Sequence, residues 1–277
     1  MTVQKRLRRE VKAGYEWTKS HFLTLRKSVS TKEDRLLSDA KRFFIFCMVT
    51  ILVVLVFFAE TKNEFYPTIL LGALSYLFWK KSDTTGKVFL ISAGAIGYAH
   101  EVIGVVNGWF TYAGGFFYGT PLWLIPGYGC IYWSCYNLWL QGKKKYHLKQ
   151  ERFKKLAIVS IALLFILDFF FFKFRPTYMY DIPFFVLIIL LFTIRPGEQH
   201  LAYITGFMTL TDEYLGHVLG AWTHPSFVIT ALLPSYILFL WGALRVSKFL
   251  DGEPLLKRSE VIIASLAILI KIKLWFF

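Results

Sequence analysis

The feature that most constrains this chain is the segregation of its charges. Runs such as FFIFCMVTILVVLVFF (43–58) carry no charge from end to end, and short basic stretches separate them. Uncharged apolar runs approaching the ~20 residues that cross a ~30 Å hydrocarbon core read as membrane helices. Nine apolar runs occur, at 43–59, 66–79, 88–106, 118–140, 156–172, 182–194, 201–221, 226–244 and 259–277, and five of them carry no charge at all. None shows the period of two expected of outer-membrane strands. The sequence therefore predicts an all-α, polytopic transmembrane bundle of about nine spans. The last run contains Lys271 and Lys273. It fits either as a ninth span whose amines snorkel to the outer interface, or as a helix on the membrane surface, which leaves eight.

Charge also sets orientation. With the N-terminus cytoplasmic, 27 of the 32 Lys and Arg fall in the inside pieces 1–42, 80–87, 141–155, 195–200 and 245–258. Only Lys62, Lys173 and Arg175 fall in outside loops, as the positive-inside rule requires. The chain is thus expected in the cell membrane as a multi-pass protein. The same rule accounts for the net charge of +14 without nucleic acid, because no soluble basic domain is long enough to bind it. Residues 1–42 form a basic cytoplasmic segment. Their mixture of basic and aromatic positions reads as an interfacial helix on the anionic leaflet. Residues 43–277 form the transmembrane domain. No cleavable signal peptide is evident, since the first apolar run opens only near residue 43. Cys47, Cys130 and Cys135 lie in apolar surroundings without CxxC spacing and read as buried structural thiols.

One stretch occurs twice. HEVIGVVNGWFTY (100–112) aligns with DEYLGHVLGAWTH (212–224), which pairs Glu101 with Glu213, Gly104 with Gly216, Gly108 with Gly220 and Thr111 with Thr223. Both copies lie on inside-to-outside spans, so the pattern predicts a parallel internal repeat. Intramembrane acids cost several kcal/mol unless they face the protein interior. Four lie clearly inside the spans: Glu101, Asp168, Asp212 and Glu213. Glu101 and Glu213 stand ~13 residues into their runs, ~20 Å from the inner face, level with one another in the outer half of the membrane. Gly104–Gly108 and Gly216–Gly220 match GxxxG, which lets helix backbones approach closely. Glu101, Gly104 and Gly108 share one helix face, which aims the carboxylate into a helix–helix seam.

The carboxylates then serve either as structural hydrogen-bonding groups or as a reactive pair. His100 precedes Glu101, His217 follows Glu213 by one turn, and His224 lies near the outer mouth. Glu with His at i+4 suits metal ligation and a proton relay equally. HxxxH and HxxHH boxes are absent, and we expect neither metal nor cofactor. Trp109, Tyr112, Trp123 and Trp222 form either an interfacial belt or the π walls of a cavity that stabilises a cation. The turn YGTPLWLIPGYG (118–129), with Pro121 and Pro126, reads as a broken or kinked helix at a cavity entrance. Asp168 pairs with Lys173 and Arg175 at the interface or joins the site as a third acid.

The pattern E-V-I-G-x-x-x-G-x-F-x-Y, followed by G-T-P-L-W-L-I-P, spans residues 101–126. It resembles the membrane carotenoid hydratases of the bacterioruberin and C-1′,2′-hydratase type and, more faintly, the small membrane lycopene cyclases. The chain departs from that pattern in its span number, its long basic arm and its second motif. The resemblance implies acid-catalysed protonation of an alkene in a hydrophobic isoprenoid or polyene lipid, followed by hydration or cyclisation. Glu101 would be the acid and Glu213 the counter-ion or water base. His217 would tune it, with Asp212 and His100 alongside. Trp109, Tyr112, Trp123, Trp222, His224 and Asp168 would line the substrate. A proton-coupled transporter and a non-catalytic membrane subunit are the competing readings. The sequence does not specify an oligomeric state.

Overall fold

The computed structural model describes residues 33–146, 178–224, 229–253 and 256–276. The expected interfacial helix before residue 33, the span at 156–172 and Asp168 with its two basic neighbours lie outside them. Eight α-helices account for most of the described chain. They are α1 Glu33–Thr61, α2 Phe65–Lys81, α3 Thr84–Val106, α4 Leu124–Tyr146, α5 Tyr178–Thr193, α6 Gln199–Leu219, α7 Ile229–Leu250 and α8 Arg258–Phe276. The all-helical expectation holds. The sole sheet among the described residues is a two-residue antiparallel pair, β1 Thr111–Tyr112 with β2 Trp222–Thr223. By length and composition α1 (mean hydropathy 2.7) and α3 (1.6) can cross a membrane.

Four helices form the centre. α3 packs against α4 and α7, and α6 packs against the same two. α2 lies outside against α4, α5 against α7, and α8 covers α5. Aromatic side chains bind α1 to this core. Phe43 meets Phe78 and Trp133 edge-on, and Phe58 meets Trp123 with ring centroids 5.4 Å apart. The expected domain boundary at 42/43 falls inside α1, which begins ten residues earlier than its apolar run. All three cysteines are buried and free.

Close approach of α3 and α4 rests on glycines other than those in the repeated motif. A Cβ on Gly94 would sit 2.5 Å from the Ile125 carbonyl oxygen, and one on Gly97 2.3 Å from the Tyr128 ring. One on Gly129 would sit 2.8 Å from the Leu90 carbonyl oxygen. Contacts this short leave no room for any larger residue. The GxxxG reading of Gly104–Gly108 and Gly216–Gly220 therefore needs correction. Gly108 and Gly220 end their helices at φ 71° and 78°, a left-handed conformation that glycine adopts without strain. The 118–129 turn is corrected as well. Residues 113–123 are a loop tightened at Tyr118–Gly119 by positive φ, and α4 starts at Leu124, so Pro126 falls in its first turn, where proline is tolerated.

Candidate functional site

Each motif copy is a helix that reverses into a strand. After Gly108 the Trp109 N–H donates to the Gly104 carbonyl at 3.0 Å; after Gly220 the Ala221 N–H donates to the Gly216 carbonyl at 2.9 Å. The strand then folds an aromatic ring back over its own helix. Gly104 makes space for Phe110, because a Cβ there would lie 2.4 Å from that ring. Gly216 does the same for Trp222, at 2.0 Å. Glycine is needed here to admit a side chain, not a second helix.

The two reversals meet at the β1–β2 pair. Thr111 lies opposite Thr223, and the flanking contacts repeat when the motifs are exchanged. Tyr112 meets Trp222 with ring centroids 5.5 Å apart, and Phe110 meets His224 at 5.1 Å. The carboxylates obey the same rule. Glu101 accepts from Tyr112 Oη at 2.6 Å and from Tyr128 Oη. Glu213 is bonded to His224 Nε2 at 2.5 Å and accepts from Tyr236 Oη at 2.7 Å. Each therefore takes one partner from its own strand and one tyrosine from the next helix. Hydrogen bonds to an ionised acceptor are about twice as strong as neutral ones. Both Glu side chains are almost fully buried, at 1% and 6% exposure. Among the described residues no Lys or Arg comes within ion-pair distance of either.

One cleft lies between the motifs, with about 350 Å³ of atom-free space. Ile51, Leu71, Leu124, Gly127 and Ile131 give it an apolar wall, and Tyr112, Tyr128, Trp123 and Trp222 an aromatic one. Asp212 and Glu213 supply its carboxyls. The chain fixes the Trp123 end through Glu64, which accepts the Leu122 N–H at 2.8 Å.

The expected site residues divide accordingly. Tyr112, Trp123, Asp212, Glu213 and Trp222 share the cleft. Glu101 stands behind Tyr112 and Tyr128, off the cleft wall. His100 is buried next to it, with Nδ1 3.6 Å from Glu101 Oε1 and its ring tilted against Phe239, centroids 4.5 Å apart. Trp109 lies beyond His100, ring centroids 6.2 Å apart. His224 holds Glu213 instead of lining the cleft. His217 lies one step further out, its Nδ1 accepting the His224 N–H at 3.4 Å. Tyr128 and Tyr236 are the partners that sequence reasoning missed. They stand 27 and 23 residues from their carboxylates, so a single repeat offset does not relate them. Among the described residues no cluster of three or more His, Cys, Asp or Glu is arranged to hold a metal. Compared with known proteins, the chain matches no family model, no curated protein and no solved structure.

Proposed function

We propose that the chain is a multi-pass membrane enzyme that protonates an alkene of a hydrophobic isoprenoid or polyene lipid in the cleft between its two Glu-bearing helices. One observation carries the reading: two acidic residues of the second motif copy and four aromatic residues, Tyr112 and Trp222 from the two copies with Trp123 and Tyr128 between them, line a single apolar cleft. Asp212 gives its proton to one alkene carbon. The π pair becomes the new C–H bond and leaves a cation on the neighbouring carbon. Aromatic faces and the Glu213 carboxylate stabilise that cation. Water then adds through an oxygen lone pair, or a second double bond closes a ring. In either case the surplus proton passes to Glu213 and returns to Asp212, its neighbour in the chain. Positioned acid–base groups of this kind contribute about 10²–10⁴-fold. His224 and Tyr236 keep Glu213 an acceptor, and Glu101 fixes the Tyr112 and Tyr128 rings.

Membrane placement draws on the outward faces. Ile45, Phe46, Val49 and Val53 on α1, Ile69 and Leu77 on α2, Val186 on α5, and Ile262 and Leu269 on α8 are all exposed. So much exposed apolar surface suits lipid better than water. With the apolar run at 156–172, the eight helices make nine spans, the N-terminus inside and the carboxylate end outside. α2–α3–α4 and α5–α6–α7 are then parallel copies of one unit. The resemblance to carotenoid hydratases supports a polyene substrate. Expression in a polyene-producing host, with mass analysis of extracted lipids, tests the reading. A gain of one water indicates hydration, and unchanged mass with altered absorbance indicates cyclisation. Unaltered lipids beside abundant protein would refute the enzyme and favour a transporter or a subunit.

A further inference from the structure

One residue of the cleft wall carries a buried hydrogen-bond donor with no partner among the described residues. Trp123 is 2% exposed and lines the cleft, and its Nε1–H has no partner among the described residues. Three residues earlier on the same loop, Thr120 Oγ1 is also buried and unpartnered. Trp222, the other indole of the cleft, donates to the Glu213 carbonyl at 3.2 Å, so its N–H is satisfied within the protein. Tyr98 Oη and Trp241 Nε1 are buried without partners too, but neither residue lines the cleft. A buried donor left unsatisfied is costly, and nearly all such groups find a partner in the working protein. Asp212 lines the same cleft, and a carboxyl group can accept or donate a hydrogen bond.

We infer that the cleft binds an oxygen atom between Trp123 and Asp212. That oxygen accepts the Trp123 N–H and exchanges a hydrogen bond with the carboxyl. It belongs to a hydroxyl on the bound lipid or to a trapped water that attacks the cation. Either assignment deepens the proposed reaction and rests on it for the identity of the lipid. A saturated or purely olefinic chain end would leave the indole unsatisfied.

Two arms separate the sources. In the first, equilibrium binding of geranylgeraniol and of the hydrocarbon lacking its hydroxyl is measured on the full chain in detergent. A ligand hydroxyl gives a preference of about five- to tenfold for the alcohol, the worth of one such hydrogen bond. Trp123→Phe, which keeps most of the ring, removes that preference. In the second arm, lipids are extracted from the polyene-producing host. A trapped water gives no alcohol preference, but Trp123→Phe lowers the ratio of hydrated to unhydrated product by about the same factor. The binding arm needs no turnover, so it stands if the enzymatic reading fails. A wild-type protein with no alcohol preference and no hydrated product overturns the inference, whether or not Trp123→Phe folds. So does a Trp123→Phe protein that keeps both ratios.

Discussion

The molecule contains two pairs of buried glutamates, one at each end of its central helices, called inner and outer after the proposed orientation, and their partners differ in kind. At the inner end, Glu198 is bonded to Arg245 and to Lys248 at 2.8 Å. Glu260 takes a paired contact from Arg195, at 3.0 and 3.1 Å, with Arg245 3.9 Å away. At the outer end Glu101 and Glu213 have tyrosine hydroxyls and histidine rings instead. A guanidinium cancels the carboxylate it binds. A phenol O–H orients the carboxylate and leaves its charge to act on whatever enters nearby. The inner glutamates therefore tie α6, α7 and α8 together, and the outer pair keeps an electrostatic field for a cation. If so, damage to the inner end should appear in stability and damage to the outer end in turnover.

The largest effect expected is on turnover. Asp212→Asn and Glu213→Gln should each lower product formation about 10²-fold or more, as the loss of a proton-transfer group does. Asp212→Asn should leave the thermal midpoint within a few degrees of wild type. Full turnover in both variants would break the comparison at its outer end. Next comes stability at the inner end. Glu260 is fully buried, and Glu260→Ala would strip Arg195 of its paired contact at a cost of about 3 kcal/mol, while Arg245 keeps Glu198. Denaturation in detergent would measure it. The surviving folded fraction should give the wild-type product ratio, and an altered ratio would mean that the inner end also shapes the site.

A smaller pair of effects tests whether the motif copies are equivalent. Tyr128→Phe and Tyr236→Phe each remove one hydroxyl from a buried carboxylate, worth about 1.5–3 kcal/mol. Equal losses of stability are expected, because the two bonds correspond. Turnover should suffer more in Tyr236→Phe, since Glu213 borders the cleft and Glu101 does not. Equal loss of turnover would show that Glu101 acts on the substrate directly.

Much of this arrangement is legible in the sequence, and the misreadings have physical causes. Among the described residues a helix covers most of each apolar run, and the repeated motif points to both carboxylates. The motif glycines mislead because a helical period carries no information about the chain beyond the helix end. Gly104 and Gly216 each precede an aromatic residue by six positions, and that spacing marks a ring folding back. Tyr128 and Tyr236 stay hidden as partners because they stand 27 and 23 residues from their carboxylates, so one repeat offset does not relate them. Arg195, Arg245 and Lys248 register in the sequence only as inside charges. Their pairing with Glu198 and Glu260 joins segments up to 65 residues apart, which no local pattern reveals.

The smallest effect concerns protons at the inner end. His200 stands just before the seventh apolar run, at 5% exposure. Burial lowers its imidazole below the ordinary value, and Lys143 lowers it further. As pH falls through about 6.5, the unfolded chain therefore takes up a proton before the folded one does. The stability that His200 contributes is complete above that pH. It declines as pH falls toward the lowered folded value, and below that value it changes no further. Thermal midpoints measured from roughly pH 8 to pH 5 should fall in the wild type, and this part of the slope should vanish in His200→Gln. Product ratios over the same range should not respond to that substitution, because His200 lies at the opposite end of α6 from Glu213. An undiminished slope in His200→Gln would place the titrating group elsewhere. A changed product ratio would instead mean that the two ends of the bundle are coupled.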